Sequence, residues 1–379
     1  MQVTVEKTQL ADAVGFAGAA IAANPVTPVY RCVAVHIDVT DDGASATFTG
    51  HDPSSGMTST ATIANVTVDG QSTSWLLPGP ALKSIIASLP SGDVTIETRD
   101  EDSKLAISVG KTRFAIPVVA DTWPTLASKK TTFTATVDAP AFAAAVANAR
   151  RACSPDPNGV VTLTGIQLSR GSEGPLTLAS TDRYRLYTSG VDVATESTDP
   201  LNVVVPGKEL DSIVKLLVKN TDTIGVRIGT GSIEIVGDGK TTTLGLLDGD
   251  FPSWQKLLPE TNSHTVTIDP EALVDALARA AVAQDGQSSH AARLTFTNDT
   301  VTVTMDSDLE FADELSCDYS GEQMTLGVNP AYVKDGLAAM RADKVTIGFD
   351  DPARPLLLTP AHDNPAGVKY LAMPVKLSR

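Results

Sequence analysis

The chain has 379 residues, 42% of them apolar and 5% aromatic, with 28 Gly and 23 Pro; 29 basic against 45 acidic side chains give a net charge of −16. That length predicts roughly two to three domains of about 150 residues each, and the apolar share is enough for real cores, which excludes a disordered or fibrous chain. No apolar run approaches the ~18 residues of a membrane span, the N-terminus MQVTVEKTQL lacks a secretory layout, and the acidic total argues against a simple basic nucleic-acid binder, so a soluble cytoplasmic protein is expected.

The chain opens with an alternating strand, QVTVEK, and an Ala-rich helix over 8–23. A segment starting at Leu77, LPGPALKSIIASLPSGDVTIET, predicts a second helix over 79–89 and a strand, and the tail FAIPVVADTWPTL follows. The same order then returns. TFTATVD leads into a helix over 139–152, GVVTLTGIQLSR and PLTLAST alternate as strands, and VPGKELDSIVKLLVKNTDTIGVRI from Val205 predicts a helix over 207–220 before GSIEIVGD and the tail LGLLDGDFPSWQKLLP. A third round runs from HTVTID through a helix over 270–284, the strands of RLTFTNDTVTVTMD, VNPAYVKDGLAAMRADKVTIGF from Val328 with a helix over 330–342, and the tail YLAMPVKL. Asp138 and Asp269 stand where N-caps belong, and Pro270 suits a first helical position. The repeats are spaced by 128 and 123 residues, too far apart for a solenoid, so they are whole domains. The expected fold is α+β: three repeated domains over 1–128, 129–260 and 261–379, bounded near Ser128 and Glu260, each with two helices on antiparallel sheet.

The six predicted helices carry nine basic residues, Lys83, Arg150, Arg151, Lys208, Lys215, Lys219, Arg279, Lys334 and Arg341, against six acidic ones, a balance of +3. The remainder of the chain holds 20 basic and 39 acidic residues, or −19. Two readings stay open. Lys and Arg favour the last turn of a helix, where they complement its dipole; alternatively the helices face a polyanion with sparse phosphate contacts, binding DNA weakly and without sequence preference.

Catalytic signals are poor. The five histidines show no metal-binding spacing, and Cys32, Cys153 and Cys317 are too dispersed for a redox or zinc motif, so reduced, inert thiols and no metal or cofactor are expected. Gly239-Lys240-Thr241 resembles the end of a phosphate-binding loop, but Glu234 occupies the place of the required earlier glycine; a GDGKT hairpin turn accounts for it better. The most unusual segment is Ser180-Thr181-Asp182-Arg183-Tyr184-Arg185-Leu186, which sets two Arg and a Tyr between strands. It reads either as an edge turn in which Asp182 and Arg185 satisfy local backbone or as a function special to the middle domain.

Several short motifs then coincide with the threefold repeat: Thr181-Asp182-Arg183-Tyr184-Arg185-Leu186, Phe251-Pro252-Ser253-Trp254 with Leu257-Leu258-Pro259, Asn329-Pro330-Ala331-Tyr332, and Met373-Pro374-Val375-Lys376-Leu377. With them the whole chain resembles the bacterial DNA sliding clamp, the beta subunit of DNA polymerase III. The resemblance implies a head-to-tail homodimeric ring of six similar domains, helices inward, that encircles duplex DNA by topology and is allowed by closed two-fold symmetry. Such a protein is a non-catalytic processivity factor, set on DNA by an ATP-dependent clamp loader and tethering the replicative polymerase and other proteins that carry the same short binding motif.

Carried over residue by residue, the resemblance implies a peptide cleft of Leu163, Thr181, Arg183, Tyr184, Arg185, Leu186, Pro252, Lys256, Leu257, Asn329, Tyr332, Met373, Pro374, Val375 and Leu377, with Arg185 and Tyr332 supplying polar orientation. It implies a subunit contact in which Phe114 meets Val282 and Ala283, with Lys111 and Arg113 facing Asp308, Glu310, Asp313 and Glu314, and Arg279 nearby. The nine helix cations become the DNA-facing set. Departures from the family pattern are Asn24 and Lys256, each where an Arg is common, and the small Ala283; they imply weaker DNA contact, softer peptide binding and a looser subunit contact. A specialised clamp for repair, viral replication or drug resistance is the neighbouring reading, and an enzyme on a repeated α+β scaffold is the reading from another class.

Overall fold

The computed structural model describes residues 1–100, 102–126, 131–156, 158–283, 291–305 and 310–377. The expected boundary at Ser128, the end of the fifth helix at Gln284 and the interface residue Asp308 lie outside these.

Period-two sequence becomes strand because alternate side chains reach opposite faces of a pleated sheet. In Thr131–Asp138, for instance, Phe133, Ala135 and Val137 are buried and the residues between them are exposed. Among the described residues, six α-helices follow the 3.6-residue period: α1 Lys7–Ala17, α2 Gly79–Ser88, α3 Ala139–Ala152, α4 Gly207–Leu217, α5 Pro270–Val282 and α6 Pro330–Met340. α5 buries Leu273, Ala276, Leu277 and Ala280, one apolar stripe. Its predicted cap is present: Asp269 accepts from the backbone N–H of Glu271 at 2.9 Å and of Ala272 at 3.3 Å, with Pro270 in the first turn. Asp138 does the same for Ala141 at 2.8 Å.

The chain forms two compact units. The first comprises residues 1–143, 194–197 and 209–246. It holds a five-stranded sheet and a nine-stranded one, and in the latter Lys240–Gly245 pairs antiparallel with Met57–Ala64, Lys240 opposite Ala61. A buried hydroxyl pair, Ser59 and Thr242 at 2.8 Å, reinforces that junction between distant parts of the chain.

The second unit comprises residues 144–193, 198–208 and 247–379, around a twelve-stranded sheet. Here Arg185–Val191 pairs antiparallel with Lys369–Ala372, with Arg185 opposite Ala372 and Tyr187 opposite Tyr370. α6 lies directly against this junction. Gly336 makes that possible, because any Cβ there would run into the Tyr370 ring.

Five predicted helices end earlier than expected, α2 by one residue and α5 by two. α1 ends at Ala17 rather than at 23, passing through a single 3-10 turn, Gly18–Ala20, into extended Ile21. Ile21 leaves the helix because its side chain fills the space beside Gly50 and Gly79, and Pro25 bars helix for the residue before it. α4 stops at Leu217, and α6 stops at Met340 with Arg341 in the left-handed conformation at φ 47°. Lys219 and Arg341, counted as helix cations from the sequence, therefore lie just beyond helix ends.

Candidate functional site

The Thr181–Leu186 segment is a turn between Leu176–Thr181 and Arg185–Val191, built by its own side chains. Asp182 Oδ1 accepts from the N–H groups of Tyr184 and Arg185, both at 3.0 Å, while the Thr181 hydroxyl accepts from Arg183 N and donates to Arg185 O. Arg183 takes φ 81°, which swings it and Tyr184 into solvent. Arg185 turns the other way. Its Nε donates to Asp182 Oδ2 at 2.8 Å and its Nη1 to Asp335 Oδ2 at 2.5 Å, with the side chain only 12% exposed. Burial works against the charged guanidinium, but Tyr370 and Asp182 beside it outweigh that and hold it protonated. The guanidinium lies 4.6 Å from the centroid of the Tyr332 ring, and Tyr332 stacks on Tyr184 at 6.5 Å and 25°. Cation–π contact of a largely desolvated Arg contributes about 2 kcal/mol.

Beneath this wall lies an apolar floor of Ala179, Leu186, Trp254, Leu357 and Leu371, with Phe251 and Leu258 packed against it. Trp254 opens the 3-10 turn Trp254–Leu257 and donates its indole N–H to Gln167 Oε1 at 2.7 Å, which satisfies the only polar atom of a buried ring. Around the floor, Tyr184, Leu257 and Met373 are large apolar side chains exposed to solvent. Met373 N donates to Tyr184 O at 2.7 Å, and Val375 N donates to Gly327 O at 2.8 Å, so the C-terminal tail is stitched down on both sides.

The expected cleft residues thus divide. Thr181, Leu186 and Leu163 are interior; Arg183, Tyr184, Pro252, Lys256, Leu257 and Met373 are exposed; Tyr332, Pro374, Val375 and Leu377 are half-buried. Asn329 caps α6, accepting from Ala331 N at 2.9 Å. Arg185, expected to orient a ligand, directs Nε and Nη1 at carboxylates inside the chain. Sequence reasoning missed Asp335, Gln167 and the full floor around Trp254. The FPSW motif marked that floor, but nothing local marked Asp335.

Elsewhere, Lys111 in the turn before Thr112–Pro117 and Arg113 on that strand are exposed, and Phe114 is half-buried. Val282, at the end of α5, is 83% exposed. Several of the nine expected DNA-facing cations hold carboxylates within the chain, among them Arg151 with Asp335 at 3.3 Å, Lys215 with Asp211 at 2.6 Å and Arg279 with Asp313 at 2.5 Å. Asp313, expected opposite Lys111 and Arg113, is therefore already engaged. The Cys153 thiol is buried and pushed up to about 12, with burial the main cause. Among the described residues, no group of three or more His, Cys, Asp or Glu is placed to hold a metal ion, and no helix is long and apolar enough to cross a membrane.

Repeated helix pairs on antiparallel sheet, with an exposed apolar surface over the strand junction of the second unit, define a clamp-type α+β repeat protein. Three family models match in chain order: the DNA polymerase III beta subunit N-terminal domain over residues 1–127, its central domain over 131–253 and its C-terminal domain over 255–376. The chain belongs to the DNA polymerase III beta subunit family and has its three-domain sliding-clamp fold. It is 28% identical over 390 residues to the beta sliding clamp of Streptomyces coelicolor and 24% over 387 residues to that of Caulobacter vibrioides, covering the whole of each chain. Among solved structures, the Pseudomonas aeruginosa sliding clamp bound to griselimycin superposes with a TM-score of 0.90 at 22% identity, and the Bacillus subtilis clamp with 0.88 at 22%, each over the full length of both chains. The family supplies DNA polymerase processivity and is non-catalytic.

Proposed function

We propose that this clamp closes as a head-to-tail homodimer around duplex DNA, is placed there by an ATP-dependent loader, and tethers a replicative polymerase through a short linear motif bound on the second unit. In this reading, domain boundaries fall near residues 128 and 260. The observation that carries the reading is the coincidence of three exposed apolar side chains, Tyr184, Leu257 and Met373, around the buried Leu186–Trp254 floor. Exposed apolar clusters of this kind on a soluble surface mark binding sites. An extended peptide with leucine and aromatic side chains would fill the apolar surface, and the flexible Met373 can repack around different sequences.

DNA binding needs no strong attraction in a closed ring. The chain is acidic in total, −16, so an outer surface of the same sign would repel the duplex and leave the helix cations as the favoured path. With Arg151, Lys215 and Arg279 held by carboxylates of the chain, the helix cations make a shallow electrostatic contact, which suits sliding. Fluorescence polarisation of a polymerase-derived peptide tests the cleft: binding to the native chain and its loss on Met373→Ala is the expected result. Equal affinity in both proteins would remove the site assignment.

A further inference from the structure

Asp335 sits on α6 one turn beyond Tyr332, and its two carboxylate oxygens serve two different arginines. Oδ2 accepts from Arg185 at 2.5 Å and Oδ1 from Arg151 at 3.3 Å. Among the described ion pairs, it is the one carboxylate that touches both the wall of the proposed peptide cleft and the proposed DNA-facing set. The two arginines differ in environment. The Arg185 side chain is 12% exposed and pinned at its other edge by Asp182, while that of Arg151, in the last turn of α3, is 45% exposed. An anion from solvent can therefore reach Arg151 and not Arg185.

We infer that Asp335 couples the two surfaces: a phosphate that engages Arg151 strengthens the Asp335–Arg185 pair and so preorganises the peptide-binding wall. Two electrostatic effects have the same sign. A phosphate on Arg151 draws that cation away from Asp335, leaving the carboxylate's full charge to Arg185. It also offsets the repulsion that Arg151 exerts on Arg185. Arg185 is then held more firmly over Tyr332, whose ring in turn backs Tyr184, so the aromatic wall is ordered before a peptide arrives. Ordering a site in advance raises affinity by removing a cost of binding. By linkage, a bound peptide strengthens the phosphate contact by the same factor. The gain is modest because Arg151 is half in water and salt screens it. Asp335 is thus a positioning residue that acts through Arg185.

The inference rests on the cleft and DNA-facing readings above, and the experiment separates the two levels. The full-length protein is titrated against a fluorescein-labelled peptide carrying two leucines and a phenylalanine, at low ionic strength, with and without saturating short duplex DNA. In the native chain the duplex should tighten peptide binding about two- to fivefold, at or below the low end of allosteric couplings because Arg151 is half in water. Arg151→Gln should bind the peptide more tightly without DNA and show no further response. Asp335→Asn should bind about tenfold more weakly and also show no response. In a Tyr332→Leu background, Asp335→Asn should cost nothing more, which a general loss of structure would not reproduce. Peptide affinity in the native chain that is unchanged or weakened by duplex, or a response that survives Asp335→Asn, overturns the coupling alone. Failure of the native chain to bind the peptide at all overturns the cleft reading and the coupling with it.

Discussion

Lys240 Nζ lies 2.6 Å from a carboxylate oxygen of Asp12, bringing the hairpin of Ser232–Gly237 and Lys240–Gly245 onto α1. The lysine is 5% exposed, with Asp238 as its second partner at 3.3 Å. Asp12 also accepts from Asn220 at 3.4 Å. Removing one member of such a pair strands a buried charge, whereas replacing the charge by an apolar group of similar volume does not. Asp12→Ala should therefore cost about 2 kcal/mol, below the 3–5 kcal/mol of a fully buried pair because Asp12 is partly in water. Lys240→Met should cost less. Thermal denaturation of the two variants gives the order.

The tail over 373–377 should respond to changes made far from it in sequence. A Cβ at Gly327 would collide with the Val375 carbonyl and Leu377 side chain. Gly327→Val, Met373→Ala and deletion of residues 375–379 should each abolish binding of a polymerase-derived peptide while leaving far-ultraviolet circular dichroism unchanged. Retention of peptide affinity in the deletion would assign the tail no part in the site.

Trp254→Phe keeps an aromatic ring in the floor, though a smaller one, and strips Gln167 Oε1 of its donor. An acceptor left unpaired in the interior costs about 1–2 kcal/mol. Gln167 keeps its other bond, from Nε2 to Asn202 at 2.8 Å, so a local rather than global effect is expected. The midpoint of thermal unfolding should fall, and peptide affinity with it.

Val282 offers the most direct test of self-association. Val282 is 83% exposed at the end of α5, where the family resemblance implies the subunit contact. The native chain should scatter light as a dimer at micromolar concentration, and Val282→Asp as a monomer. A monomeric native chain would count against a self-sufficient ring.

Acid should withdraw the stability that two hydrogen-bonded carboxylates supply. The Glu6 carboxylate is held below its ordinary 4.5 by hydrogen bonds, the largest from the Thr8 backbone, then the Thr8 hydroxyl and the Gln9 N–H. Asp350 is held below its ordinary 3.8 in the same way, chiefly by the Ser263 backbone. Because both are lowered on folding, they favour the folded state above their ordinary values, and that contribution is lost as pH falls through the lowered ones. Glu6→Gln should reduce stability at neutral pH and make little difference well below 4.5, measured as unfolding temperature against pH.

The threefold repeat, the clamp fold and local turn chemistry were legible in the sequence, whereas pairings between distant side chains were not. Asp238 at φ 50° and Gly239 at φ 67° form the two-residue turn that GDGKT predicts, since both central positions of such a hairpin need left-handed backbone. Asp182 satisfies the backbone of its own turn, the simpler of the two readings of that segment. Asp335 was not legible, because it meets Arg185 across a separation of 150 residues and no periodicity reports such a meeting. The same holds for Asp313, which reads as an exposed acid but holds Arg279. α1 was overestimated because an Ala-rich run continues past the point where Ile21 finds a better place in the packing.

Met373 directly follows Lys369–Ala372, whose backbone lies between Arg185–Val191 and Leu356–Pro360 in antiparallel register. A partner gripping the tail would therefore pull that strand along its own length. Tension in this direction is shared by all its ladder bonds at once, as in a lap joint, and not spent on one bond after another as in peeling. If the proposed partner grips the tail, drag from a moving cargo would load this strand in the direction in which its two ladders share the force.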